Sequence, residues 1–541
     1  ILHTGDFRQH GYLGKGLLPT LEEYIVPQGI DELITEGTML DRNEKKIVHE
    51  NDLKRQAIEL MKRYKNVFVL CSSTDMDRLA TFHRANREMR NRPFVCDAYQ
   101  QRILELFAGH AGVKSPLFKF DHKVYGSDGC QLTLDAAEIV LKNIESVPMF
   151  DGAKTISYDD GVADGRINYI PQSVIDSYLD EVSKQGIHTD LVKSSGLKVV
   201  YTPLNGTGNK PVRAILKKIG VEDVTVVPEQ EYPDGNFPTC PFPNPEIKEA
   251  LAKGLELCNV VKPDLLLATD PDCDRVGIAV PSDNGYELFT GNEVGAMLLE
   301  YICSERTKMG TMPADPVAVK TIVTTDIAAK IAKEYGVKLI EVLTGFKFIG
   351  EQIGFLEDKG QEDRYIFGFE ESYGYLAGSY VRDKDAVVAS MLICEMAAFY
   401  RTKGISLIQA RENMYKKYGV YVHSQSSFVC EGVTGMERMK EIMSDLRTNT
   451  PKTIGGLTVT RFEDYLASTS VDTATGAKTM LTLPKSDVLT FKLTDGASVI
   501  IRPSGTEPKI KAYYTTTGTT KAEAAALEKT ISDDFAKILG F

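Results

Sequence analysis

The chain reads as a series of α/β domains with mixed sheets, closed by a smaller α+β domain. Its 541 residues, 43% of them hydrophobic, are enough for several separate cores. A strand–loop–helix cadence begins at Leu197 and returns between Val317 and Val342. Beyond Val488, strand-like runs gather before one long helical stretch, which marks a different kind of domain.

Taken in order, residues 1–118 combine a charged helical stretch over 51–65 with a strand signal over 67–70, as in part of an α/β unit. The Gly- and Pro-punctuated run from Gly109 breaks that pattern and places a boundary near residue 118. The apolar run over 197–201 enters the loop Pro203-Leu-Asn-Gly-Thr-Gly208, and a helix is expected from Pro211. Residues 317–323, 326–335 and 337–342 read as strand, helix and strand, so two similar domains with parallel strands and crossover helices are expected in tandem. Strands are expected at 488–493, 498–501 and 509–515, then a helix over 521–538.

A net charge of -12 argues against a nucleic-acid surface spread over the whole chain, so small anions must be met by local donors. Nine cysteines are scattered from Cys71 to Cys430 without a C-x-x-C pair, which predicts reduced thiols and a cytoplasmic setting. No apolar run approaches the roughly 20 residues that cross a bilayer, and the N-terminus lacks a secretory pattern. The chain starts with Ile1 where a translation product starts with Met, so a shortened N-terminus is expected.

Three loops carry residues suited to chemistry. In the first, an apolar run from Asp264 leads into Asp270, Asp272 and Asp274, followed by Arg275. Carboxylates at i, i+2 and i+4 of extended backbone point the same way, and three of them repel unless a cation neutralises them. Hard oxygen ligands without His or Cys favour Mg²⁺ over zinc; the alternative is a solvated acidic turn. A calcium EF-hand is excluded, because Arg275 and Pro281 would stand where that loop needs Gly and Glu. The second loop is Ile501-Arg-Pro-Ser-Gly-Thr-Glu-Pro508. There Arg502 offers a planar fork, Ser504 and Thr506 offer hydroxyls, and Gly505 lets backbone N–H groups approach an anion; the alternative is an ordinary hairpin turn. The third, Ile366-Phe-Gly-Phe-Glu-Glu-Ser-Tyr-Gly-Tyr375, precedes Arg382-Asp-Lys-Asp385 at the start of an expected amphipathic helix reaching about Tyr400. Glu370 and Ser372 suit sugar hydroxyls and Lys384 suits a phosphate or a proton, while the alternative is a helix N-terminus with acidic caps. No Walker phosphate loop, dinucleotide fingerprint or nucleophile elbow occurs, so nucleotide kinases, dehydrogenases and serine hydrolases recede.

In this order, the three loops resemble the phosphoglucomutase and phosphomannomutase family of α-D-phosphohexomutases, over about 121–541. Lys320-Thr-Ile-Val-Thr-Thr-Asp326 and Leu343-Thr-Gly-Phe-Lys347 add to the likeness, and Gly-Phe-Glu-Glu-Ser-Tyr-Gly-Tyr-Leu resembles the branch holding phosphoglucomutases and phosphopentomutases. The resemblance implies a phosphohexomutase architecture: a remnant of a first domain over 119–195, a second with the metal loop over 196–310, a third with the sugar loop over 311–425, and a fourth with the phosphate loop over 426–541. It implies Mg²⁺ on Asp270, Asp272 and Asp274, with Arg275 beside the reacting phosphate and Lys384 assisting phosphate or proton handling. Glu370 and Ser372 would bind sugar hydroxyls, Gly345 and Lys347 would sit in the loop that selects sugar orientation, and Arg502, Ser504, Gly505 and Thr506 would clamp the other phosphate. The implied partner is a small phosphosugar, glucose phosphate first, with glucose 1,6-bisphosphate as activator, acting on a monomer or dimer with no nucleic acid or membrane involved.

The family's phosphate-carrying Thr-Ala-Ser-His-Asn-Pro loop occurs nowhere in the chain; its place before Lys123 is taken by a run starting at Ser115, which lacks the flanking residues. Residues 1–118 resemble instead a fragment of a metallo-β-lactamase-fold β-CASP hydrolase, through Thr4-Gly-Asp-Phe-Arg8 with Asp6, Glu36-Gly-Thr38, and 67–101. That family's H-x-H-x-D-H zinc motif is missing, so zinc hydrolysis is expected to be lost. A fusion of two truncated coding regions accounts for these features together. Three readings follow: a phosphosugar mutase, a phosphosugar-binding product without turnover, and a nuclease-like metallohydrolase.

Overall fold

The computed structural model describes residues 156–430 and 435–541 except 241 and 505–508, with 2–3, 33–34, 50–63, 85, 125–126, 129–132 and 134–146. The chain divides into two units, Ile1–His122 with Cys430–Met436, and Lys123–Val429 with Glu437–Phe541. In the first unit, Leu2–His3 pairs in parallel with Leu33–Ile34, and Glu50–Arg63 is a helix close to the expected span. Asp6, Glu36, Ser115 and the strand expected at 67–70 lie outside the described residues.

The second unit holds the three loops. After helix α1 (Gln172–Ser183) and α2 (Thr189–Ser195) comes strand β1 (Lys198–Thr202). It is followed by α3 (Asn209–Lys218), β2 (Asp223–Val226), α4 (Ala252–Val261), β3 (Leu265–Thr269), β4 (Val276–Ser282) and β5 (Gly285–Phe289). Helix α3 starts two residues before Pro211, which the first turn tolerates because the N–H that proline lacks would have no intrahelical acceptor there. The sheet order is β2-β1-β3-β4-β5, with β2, β1 and β3 parallel. Mixed sheets with parallel strands and crossover helices were expected, and the mixing comes from β3–β4 and β4–β5, which are antiparallel. The reason is length: residues 270–275 are too few for the dozen or so that a crossover needs, so the chain turns back in a hairpin.

Helix α5 (Gly291–Met309) leads to β6 (Val317–Thr321), α6 (Ile327–Tyr335), β7 (Lys338–Val342), α7 (Phe346–Glu357), β8 (Tyr365–Phe369) and the short β9 (Tyr375–Leu376). The order is β9-β8-β6-β7, parallel except at β8–β9. Helix α8 (Ala386–Thr402) then packs against α2, α3 and strands of both sheets. Residues 386–399 are all buried, so this helix is central rather than amphipathic as expected. Its run of Ala, Val, Met and Leu is apolar apart from Ser390 and Glu395, and Glu395 accepts the Ile187 N–H and the Tyr301 hydroxyl, as an element covered all round requires.

After α9 (Leu407–Tyr418), the C-terminal domain forms one antiparallel sheet: β10 (Val420–Val429), β11 (Leu457–Asp464), β12 (Thr469–Asp472), β13 (Lys478–Met480), β14 (Leu489–Leu493), β15 (Ser498–Pro503) and β16 (Lys509–Gly518), with α10 (Lys521–Ile538) on it. The order is β10-β16-β15-β14-β11-β12-β13. The last three strands and the last helix were legible; β10 to β13 were not, because they are short or polar and carry little apolar signal. Among the described residues no helix is long and apolar enough to cross a membrane.

Candidate active site

Strand β3 is buried along its whole length and delivers Asp270 at its C-terminal end. The three aspartates do not lie on extended backbone, as the spacing argument supposed. The loop turns: the Cys273 N–H donates to the Asp270 carbonyl at 3.0 Å, and Cys273 takes a left-handed φ of 60°. The cause is Asp270 itself, whose Oδ1 accepts the backbone N–H groups of Asp274 (3.0 Å) and Arg275 (2.9 Å). Even so, one carboxylate oxygen from each of Asp270, Asp272 and Asp274 lies within 4.8 Å of the others. Gly206 lets the 203–208 loop press against this turn: a Cβ there would stand 2.3 Å from Pro271 Cα, and Thr207 donates its N–H to the Pro271 carbonyl at 2.8 Å.

Burial, then the carboxylates of Asp274 and Asp272, push Asp270 up to about 8. An all-oxygen, acid-only donor set strained by its own repulsion fits a hard divalent cation. Arg275 is held by Glu246 (Nη1–Oε1, 3.1 Å) and lies 3.7 Å from both Asp270 and Asp274. Burial disfavours its charge, but Glu246, Asp274, Asp270 and Glu370 outweigh that and leave its pKa raised.

The metal loop is laced to the third loop. Arg275 bridges to Gly374, and the Val276 N–H donates to the Tyr373 carbonyl at 3.1 Å. Lys384 Nζ lies 2.9 Å from Asp274 Oδ2 and is almost wholly buried. Its placement follows from Asp385, the N-cap of α8, whose Oδ1 accepts the Val387 N–H at 2.7 Å and whose Oδ2 accepts the phenols of Tyr178 (2.8 Å) and Tyr380 (2.6 Å). Asp383 Oδ2 accepts Gln131 Nε2 at 2.7 Å and the Tyr125 hydroxyl at 3.0 Å, which ties Tyr125 and Gln131, themselves paired in an antiparallel bridge, beside Lys384.

Glu370 is buried and accepts the Gly345 N–H at 3.0 Å. Burial raises its pKa, against the pull of Lys384, the Gly345 N–H and Arg275. Gly345 caps α7 with φ 118°, a conformation that favours glycine. Lys347 sits in the first turn of α7 with Nζ 5.1 Å from the Phe348 ring centroid, and Ser372 lies in the turn between β8 and β9.

On the C-terminal sheet, Arg502 Nε and Nη2 donate to the Tyr513 hydroxyl at 3.3 and 3.1 Å, and the Ser504 N–H donates to the Lys509 carbonyl at 2.8 Å. Gly505 and Thr506 lie outside the described residues. Glu371 lies in the third loop and feels the charge of Arg502. Its Oε2 accepts the hydroxyls of Thr321 (3.3 Å) and Thr324 (3.5 Å); burial, Glu370 and Glu246 push it up to about 7 while Arg502 pulls it down. Lys511, opposite Arg502 in the β15–β16 ladder, is lowered by burial, Arg502 and Lys509, and Glu246 and Glu371 oppose that.

Glu246, Glu371, Asp383, Lys511 and Tyr513 were passed over in the sequence. The Pro-flanked Asn244-Pro-Glu246 and the alternation of Lys511 and Tyr513 along β16 are the signals that point to them.

Two mixed α/β sheets and an antiparallel C-terminal sheet, with a carboxylate cluster, an acidic loop and a cationic turn between strands, define a multidomain phosphohexomutase architecture. Family descriptions of phosphoglucomutase/phosphomannomutase match residues 176–284 (alpha/beta/alpha domain II), 290–418 (alpha/beta/alpha domain III) and 449–533 (C-terminal domain). Phosphoglucomutases of Staphylococcus aureus strains bovine RF122 / ET3-1 and MRSA252 are each 36% identical over 395 residues, 72% of this chain and 69% of theirs. The chain belongs to the phosphoglucomutase/phosphomannomutase family.

Two solved structures share the fold. One is a Thermus thermophilus protein assigned as a phosphomannomutase (TM-score 0.51, 18% identity, 76% of this chain and 74% of that one). The other is the open form of the Paramecium exocytosis-sensitive phosphoprotein pp63/parafusin (TM-score 0.50, 18% identity, 68% and 62%). The matched family segments begin at residue 176 and do not touch the hydrolase resemblance read over 1–118.

Proposed function

We propose that the chain binds a phosphorylated hexose, glucose phosphate first, between Mg²⁺ on Asp270, Asp272 and Asp274 and an anion clamp of Arg502 and Ser504 with Gly505 and Thr506, as the substrate-holding part of a phosphosugar mutase. A bound Mg²⁺ would neutralise charge on a transferring phosphoryl group. Arg275, anchored on Glu246, presents a cation beside that group, and Lys384, steered by Asp385, holds a proton or phosphate oxygen against Asp274. Glu370 and Ser372 take sugar hydroxyls, and the Gly345–Lys347 turn orients the ring. The domain division at 119–195, 196–310, 311–425 and 426–541 belongs to the same reading, as does glucose 1,6-bisphosphate as activator.

The observation that carries it is the lacing of the 270–275 loop to the 370–375 turn through Arg275–Gly374 and to Lys384 through Asp274. Calorimetry with glucose 1-phosphate and glucose 1,6-bisphosphate, with and without Mg²⁺, tests binding. Binding with neither ligand sinks the reading. A coupled glucose 6-phosphate assay primed with the bisphosphate then separates a mutase from the alternative, a binding product without turnover. The nuclease-like reading of residues 1–118 has no described residue to carry it.

A further inference from the structure

Arg502 differs from the other arginines set among charged groups in this unit. Arg275, Arg382, Arg411 and Arg447 each meet carboxylates within ion-pair distance. Arg502 is held instead by the phenol of Tyr513, which accepts from both Nε (3.3 Å) and Nη2 (3.1 Å), with the guanidinium carbon 5.8 Å from the ring centroid. A neutral acceptor fixes the fork without neutralising it, and it occupies two of the five N–H donors, leaving the rest for an anion.

The phenol is itself fixed. Tyr513 is only 7% exposed and packs in a cluster with Ile322, Val323 and Leu343 from the loops after β6 and β7, and Val488 and Ile500 from the C-terminal sheet. It faces Ile500 across the β15–β16 ladder and shares a sheet face with Lys511, the partner of Arg502. Burial, then Glu371 among its neighbours, keeps its pKa raised against Arg502, so the phenol stays neutral.

We propose that Tyr513 is a positioning residue that aims the Arg502 guanidinium, which meets no carboxylate within ion-pair distance among the described residues, at the phosphate of a bound sugar and ties that aim to the seam between the third and fourth domains. This rests on the phosphosugar reading above. Tyr513→Phe keeps the ring in the seam and removes the acceptor. Calorimetry with glucose 1,6-bisphosphate and Mg²⁺ should show an affinity loss of about tenfold with an unchanged melting temperature, since a charge-assisted bond that orients a ligand contact is worth on the order of one decade.

The loss should vanish in the Arg502→Ala background, where no fork remains to be aimed; a merely structural tyrosine would cost the same in both backgrounds. Affinity equal to the unsubstituted chain, or an equal loss in both backgrounds, overturns the proposal. Should Tyr513→Phe fail to fold, Arg502→Lys replaces it. An ammonium keeps the charge but cannot offer two N–H groups to one phenol in that geometry, so the same decade should be lost, and an unchanged affinity overturns the proposal. If the unsubstituted chain itself fails to bind the bisphosphate, the phosphosugar reading falls first and takes this inference with it.

Discussion

The metal loop and the phosphate turn are both short polar connections between strands, but they are held by different means. Residues 270–275 join two neighbouring strands of one sheet, and Asp270 organises its own turn through two backbone N–H groups. Residues 502–504 precede the turn between β15 and β16, and Arg502 donates to the hydroxyl of Tyr513, eleven residues on, which packs against Ile322, Val323 and Leu343 outside the C-terminal sheet. The first site is set by local chain; the second is set by how a whole sheet docks. Perturbations should therefore damage the first abruptly and the second by degrees.

The largest effect is expected at Asp270. Asp270→Ala removes a proposed ligand and leaves the buried Asp274 N–H and the partly buried Arg275 N–H without their acceptor, at a cost of about 1–3 kcal/mol for a buried group. Mg²⁺ or Mn²⁺ affinity should fall at least about a hundredfold in calorimetry, with a lower melting temperature. Retention of full metal affinity would show that the carboxylate cluster is not the site. Arg502→Ala should act on the other region alone, weakening glucose 1,6-bisphosphate by about one to two decades while leaving metal affinity intact.

The two regions should also respond to pH with opposite signs. Asp270 is raised to about 8 from an ordinary 3.8, so without metal the folded state holds its proton more tightly than the unfolded chain, and this part of the structure loses stability as pH rises from about 4 to about 8. His423, on β10, is lowered to about 4 from 6.5 by burial, with Lys320 adding to that and Asp326 opposing, so it stays neutral in the fold. The unfolded chain takes up that proton first, and the C-terminal sheet loses stability as pH falls from about 6.5 towards about 4. Hydrogen exchange on the metal-free protein at about pH 5 and about pH 7.5, corrected for intrinsic rates, should show 265–280 better protected at the lower pH and 420–429 better protected at the higher. The same sign in both segments would refute the assignment.

This division also explains what was legible beforehand. Sites written in consecutive residues, Asp270 to Arg275 and Arg382 to Asp385, could be read because residue types at short spacing reveal shared chemistry. Glu246, Lys511 and Tyr513 could not, because their partners are set by strand register and by packing between sheets. Even the readable motif was misjudged in detail: the aspartates converge because Asp270 bends the loop, whereas strand alternation had been the expected cause. Which pairs in the mixed sheets run antiparallel, β3–β4 among them, was not legible, since strand signals alone do not say which way a chain returns.

The smallest expected effect lies at the junction itself. Lys521, at the start of α10, reaches Glu293 Oε1 at 3.0 Å near the start of α5, and so ties the C-terminal domain to the beginning of the 290–418 segment. Glu293 is buried but has other partners: Arg411 at 3.4 Å, Tyr415 at 3.0 Å, and the Thr290 N–H at 2.9 Å. Lys521 is half exposed and screened by water, so Lys521→Met should cost no more than about 1 kcal/mol, and less as salt is raised. Because the lost contact bears on how the C-terminal sheet sits, bisphosphate affinity should fall by about two- to threefold while Mg²⁺ affinity does not move. An equal fall in both would mean that the metal loop is not self-contained, and the contrast between a locally built site and a docked one would have to be given up.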